Sequence, residues 1–201
     1  MPRPDRHREP LVAAAATSLR QRGYAATSVG EVLRQADATN GSLYHHFPGG
    51  KADLADAALT AAGAAVDRAL ATALERSPTP AAAVRGWIDA LIAGLRGDPR
   101  DGCPIATPAV ELSATNERLR ATAAAAFARW TRTLADGLGG DEAALRTARV
   151  VLAAIEGALL LDRIARTTDN LEAVRDGVPD LLGKTRASGA RATPSPRRGG
   201  A

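Results

Sequence analysis

A chain of 201 residues, 45% hydrophobic and 24% charged, is too apolar for a disordered polymer and long enough for one or two packed domains. With 3% aromatics and dense alanine runs, the core must come from small-residue helix packing, while the lone Cys103 excludes a disulfide scaffold or multi-cysteine zinc site and fits a reducing cytoplasm. The net charge of +4 is segregated: residues 1–51 carry +3, residues 52–183 carry −4 and residues 184–201 carry +5, which suits a polyanion near the N-terminus and suits ordinary solubility equally well.

The first helix takes Leu11, Val12, Ala15, Ala16 and Leu19 as its apolar face and stops at Gly23. Pro10 suits its first turn, which leaves residues 1–9 as an arm or separate turn. This basic-then-apolar start imitates a signal peptide, but Arg20 and Arg22 follow at once and a small-residue cleavage site is missing, so export is not expected. Ser28, three residues before Glu31 as in a capping box, opens a two-turn helix with Val29, Val32 and Leu33 inward. Residues 37–40 read as a turn and 41–47 as a third short helix, stopped by Pro48-Gly49-Gly50.

From Lys51, Leu54, Ala58, Ala62, Ala65, Leu70 and Leu74 continue one long helix to the break at Ser77-Pro78-Thr79-Pro80. Further helices are expected over 81–97, within 103–112 after a loop, and over 116–138, 141–166 and 170–183; the Gly/Pro/Ser/Arg-rich residues 184–201 read as a disordered basic tail. Period-two alternation is absent, so the fold class is all-α, with a three-helix unit in residues 1–50 and a larger helical domain in 51–183. Charge interrupts every Ala/Leu stretch, so no uncharged run approaches the roughly 18 residues of a membrane span and no membrane partner is expected.

Two short helices joined by a tight turn have the dimensions of a helix-turn-helix. At 100° per residue, Leu43 and Phe47 point together into the small core, while Gly41 and His45 lie opposite, flanked by Ser42 and Tyr44. That small, hydrogen-bonding face suits a major groove, with Tyr44 and His46 at its edges within reach of phosphates. The same spacing occurs in buried helical hairpins, so a protein-interaction module without DNA binding stays open on spacing alone.

Gly23-Tyr24-Ala25-Ala26-Thr27-Ser28-Val29, followed by Gly41-Ser42-Leu43-Tyr44-His45-His46-Phe47-Pro48-Gly49-Gly50-Lys51, resembles the DNA-binding domain of TetR/AcrR repressors. With Asp101-Gly102-Cys103-Pro104-Ile105 it is most similar to the LmrA/YxaF-like branch. The resemblance implies an all-α dimer with an N-terminal helix-turn-helix and a C-terminal regulatory domain that releases a DNA operator when it binds a small molecule. Two departures stand out. Ser18 and Leu19 occupy places where the family usually has Leu and Phe, so the small core is expected to be looser, and Asn40 replaces a Lys frequent in this branch.

Asn40, Gly41, Ser42 and His45 are therefore expected to face base edges, and Thr27, Ser28, Thr39, Tyr44, His46 and Lys51 to hold phosphates. The almost all-round apolar surface of Val150 to Leu161 predicts a homodimer through helices 141–166 and 170–183. A largely apolar effector is expected among Trp87, Leu91, Cys103, Val110, Phe127, Trp130, Leu134, Ile155 and Glu156, although the aromatics read first as core packing, which does not exclude ligand contact, and Glu156 inside an apolar helix reads first as held by a structural hydrogen bond or an Arg pair. Cys103 reads as a small apolar residue of pocket wall or core in preference to a redox sensor. Adjacent His45 and His46 point about 100° apart, and a Cys103–His46 pair would need two domains to converge without an orienting group, so neither a metal, a cofactor nor an enzymatic activity is expected.

Overall fold

The computed structural model describes residues 7–112 and 114–189, which form nine α-helices: α1 (Arg8–Arg22), α2 (Val29–Gln35), α3 (Asn40–His46), α4 (Lys51–Arg76), α5 (Pro80–Gly97), α6 (Ala106–Leu112), α7 (Glu117–Gly137), α8 (Glu142–Ala165) and α9 (Asp169–Gly189). The described residues contain no strand. Residues 184–189, expected in the tail, continue α9; residues 190–201 and the start of the expected N-terminal arm, 1–6, lie outside the described residues.

The small unit closes around Leu11, Ala15, Leu19, Val32, Leu43 and Phe47, with Leu54 and Ala55 of α4 completing it. Ser18 is buried and its hydroxyl donates to Thr27 Oγ1 at 3.2 Å, and a small gap lined by Ala15, Leu19, Thr27, Val32, Leu54 and Ala55 remains in this core. Ser28 is the N-cap of α2 by position, but its side chain makes no capping bond, and Glu31 is drawn off to Arg22 and, at 3.9 Å, Arg34. The expected capping box is therefore not formed. Charge-assisted pairing to Arg22 outcompetes a neutral backbone N–H for the same carboxylate. Helix α3 starts at Asn40, one residue early, because Thr39 Oγ1 accepts from Ser42 N at 3.2 Å.

Helix α4 is long and apolar enough, by length and composition, to cross a bilayer. Here it runs from the small unit along α7, and the acids at its interval positions are spent on that neighbour: Asp53 bonds Arg118 at 2.7 Å, while Asp56 and Asp67 accept from Thr122 and Thr133, each at 2.6 Å. The two helices meet closely at Gly63, where an added Cβ would lie 2.9 Å from that of Ala126, and the Trp130 indole donates to Gly63 O at 2.8 Å. A second layer packs α8 on α9 and α7, with α5 against α9. Asp162, fully buried at the end of α8, accepts from the backbone N–H groups of Asn170 and Leu171 and from the Asn170 and Thr167 side chains. Burial pushes its carboxyl up, and these donors together outweigh burial and hold it below the usual range, so one side chain caps the start of the next helix.

Candidate nucleic-acid interface and effector cavity

Leu43 is fully buried and Phe47 nearly so, which turns Asn40, Gly41, Tyr44 and His45 outward and leaves Ser42 and His46 half-buried at the flanks. The turn after α3 is set by Gly50 at φ +62°, a left-handed conformation in which the Tyr44 ring lies over the glycine's bare Cα. Arg8 stands 5.7 Å over the Phe47 ring, and the His45 and His46 rings pack edge-on at 4.7 Å. Lys51 holds its ammonium 4.5 Å over the Tyr24 ring and donates to Ala25 O at 3.4 Å. Nine of the ten expected DNA contacts thus lie at least partly exposed around α3 and the start of α2 and α4. Thr27 is the exception. It is buried, donates to Gly23 O at 2.6 Å and accepts from Ser18, so its hydroxyl supports the core and is not available to a phosphate.

The expected effector residues separate into two groups. Trp130, Leu134 and Ile155 are sealed in the core, Phe127 stacks edge-on against Trp130 at 5.1 Å, and Trp87 and Leu91 pack half-buried on the same core. These six do not line the apolar cavity beside α8; packing claimed them, because three aromatics and three aliphatics are what this Ala-rich bundle uses to fill its interior. Cys103, Val110 and Glu156 do line it, together with Ala106, Leu160 and Ile164, in a space of about 670 Å³ between α8 and the 102–110 segment. Its outer rim is exposed apolar surface: Val110 is 77%, Leu160 59% and Ile164 72% accessible.

Glu156 is half-buried in this wall and hydrogen-bonded to the Cys103 thiol; burial raises its carboxyl to about 6, and the thiol's hydrogen bond counters only part of that. Cys103 is pushed well above the usual thiol range, first by burial and then by the charge of Glu156, so it stays protonated and lacks the thiolate character of a redox sensor. Its Sγ accepts from Ala106 N at 3.3 Å.

Sequence reasoning missed Arg163, which lines the cavity and reaches out of it. Its guanidinium donates to Gln21 O at 2.6 Å, Arg20 O at 3.3 Å and Thr107 Oγ1 at 2.9 Å, joining α8 to the last carbonyls of α1. Glu111, next to Val110 on α6, accepts from Ala25 N at 2.8 Å just beyond the same helix end. Arg20–Asp101 at 2.7 Å and Gln21–Asp98 at 2.9 Å complete the junction. A lone arginine in the last turn of an apolar helix was the available signal, but its partners are more than 50 residues away in sequence.

Residues 11–58 match the family model of bacterial regulatory proteins of the tetR family, and residues 80–177 match the C-terminal domain of LmrA/YxaF-like transcriptional regulators. An uncharacterized HTH-type transcriptional regulator of Mycobacterium tuberculosis is 36% identical over 193 residues, covering 87% of this chain and 93% of the relative. The HTH-type transcriptional regulator LmrA of Bacillus subtilis is 29% identical over 180 residues, with 87% and 96% covered. Among solved structures, the regulatory protein TetR from Rhodobacter sphaeroides superposes with a TM-score of 0.76 at 25% identity (89% of this chain, 98% of that one), and E. coli NemR in its reduced form with 0.76 at 23% (87% and 96%).

Proposed function

The chain belongs to the TetR family of bacterial transcriptional regulators, in its LmrA/YxaF-like branch, and from that premise we propose that it is a cytoplasmic, dimeric repressor released from a palindromic operator by a small, largely apolar effector. The observation that carries the reading is the outward face of α3, where small and hydrogen-bonding side chains stand over a buried Leu43. Asn40 and His45 read base edges, Gly41 and Ser42 permit close approach, and Ser28, Thr39, Tyr44, His46 and Lys51 hold phosphates on either side. Val150, Leu160, Leu161 and Ile164 form an exposed apolar stripe on α8, which with α9 packs against the two-fold copy and spaces the two α3 helices for successive major grooves.

Release follows from the junction. An effector that enters between α6 and α8 moves the wall carrying Glu111 and the helix carrying Arg163, and both side chains are bonded to the end of α1. The two DNA-binding units shift, and their spacing no longer matches the operator. The test is a randomised-operator selection with wild type, Asn40→Ala and His45→Ala over a salt series. Wild type should select a palindrome with a steep salt slope, and each variant should change the preferred half-site by about 1–3 kcal/mol at one base. An unchanged preference in both variants would refute this reading face.

A further inference from the structure

The effector reading leaves the chemistry of the ligand open, and one residue of the cavity narrows it. Glu156 places a carboxylate in a wall that, Thr107 and Arg163 apart, is apolar, with Cys103, Ala106, Val110, Leu160 and Ile164 around it. Among the described residues, the group that hydrogen-bonds to it is the Cys103 thiol, a weak donor. The cation that shares the cavity, Arg163, sits two helical turns further on, and its guanidinium is committed to Gln21 O, Arg20 O and Thr107. From α6, Ala106, Thr107 and Val110 face the space, and none of these carries charge. A neutral ligand filling the cavity would strip water from Glu156 and return nothing to its oxygens. A ligand with an ammonium group returns a charge-assisted hydrogen bond.

We infer that the cavity between α8 and the 102–110 segment is built for an amphipathic amine, its apolar body against Val110, Leu160 and Ile164 and its protonated nitrogen on Glu156. The inference rests on the proposed effector reading for its biological use, but not for its test. The volume of about 670 Å³ suits a drug-sized molecule. Two residues of its rim, Leu160 and Ile164, also belong to the exposed apolar stripe of α8.

The experiment uses the full-length dimer and three probes that share one apolar body, decylamine, decanol and decanoate, with binding read by calorimetry in the absence of DNA. At pH 7.5 decylamine should bind roughly tenfold or more tighter than decanol, and decanoate weakest. The preference should collapse in Glu156→Gln, with a thermal melt confirming that the variant is folded. It should also collapse in wild type at pH 5, where Glu156 is protonated while the ammonium stays charged. Equal affinity for amine and alcohol, a preference kept by Glu156→Gln, or no binding of any probe because the partner copy fills the space would each overturn the inference. Operator release is titrated separately: decylamine that binds through Glu156 and leaves the operator complex intact sinks the effector reading and keeps the amine site, and an uncharged compound that releases DNA while amine and alcohol bind equally does the reverse.

Discussion

Arg163→Leu removes the strut between cavity and α1 while keeping the aliphatic packing of the side chain. Three hydrogen bonds are lost, to Gln21 O at 2.6 Å, Thr107 at 2.9 Å and Arg20 O at 3.3 Å. A bond from a charged donor contributes about 1.5–3 kcal/mol when well buried. The site is only partly buried and the carbonyls at the end of α1 can recover water, so the longest bond counts for little and the sum is roughly 2–4 kcal/mol. At a urea slope of about 2 kcal/mol/M, the unfolding midpoint should fall by about 1–2 M. The functional consequence is larger than the structural one. If wild type loses operator affinity about 5–150-fold on binding decylamine, or any other compound that releases it, the variant should lose about threefold or less, because the ligand no longer moves α1. Fluorescence anisotropy on labelled operator reads this ratio, and ligand affinity measured without DNA keeps weaker binding from being mistaken for lost coupling. A variant that binds the ligand and retains the full ratio would show that the signal bypasses Arg163.

Three other changes separate structural from functional roles. An added Cβ at Gly41 meets the Thr39 hydroxyl at an ordinary 3.7 Å, so Gly41→Ala should raise stability by about 0.5–1 kcal/mol in a melt, yet weaken operator binding about tenfold if DNA approaches this point closely. Glu156 is raised from 4.5 to about 6 in the folded state, so the fold binds the extra proton and its stability falls as pH rises through that window; Glu156→Gln should be about 1–2 kcal/mol more stable than wild type at pH 8 and no more stable at pH 4, and an equal difference at both would refute the assignment. Leu161→Glu places a charge on the exposed apolar stripe of α8, and light scattering should show wild type near twice the 20.7 kDa chain mass with the variant shifted towards monomer at micromolar concentration.

Helix ends and inward faces were legible in the sequence because they depend on neighbours within a few residues. Gly23, Pro48-Gly49-Gly50, Pro80 and Asp141 stop or start helices through their own backbone or carboxylate chemistry, and Leu43 with Phe47 share a face by the 3.6-residue period alone. The family motif from Gly41 to Lys51 is contiguous, so the expected reading face, and the outward turn of Asn40, Gly41, Tyr44 and His45, came with it. Competition between partners far apart in the chain was not legible. Glu31 had Ser28 three residues away and took Arg22 instead; Thr27 and Ser18, nine residues apart, bonded each other; Asp162 became a cap only once α9 turned back on α8. The residues expected to hold an effector show the limit most clearly. A period assigns Trp130, Ile155 and Glu156 to helix faces, but whether a face meets core, cavity or a second copy depends on how far apart the helices settle. Gly63 lets α4 and α7 close over Trp130, while α6 and α8 stand apart around Glu156, and that difference in spacing belongs to the tertiary structure because it is set by side chains on both helices at once.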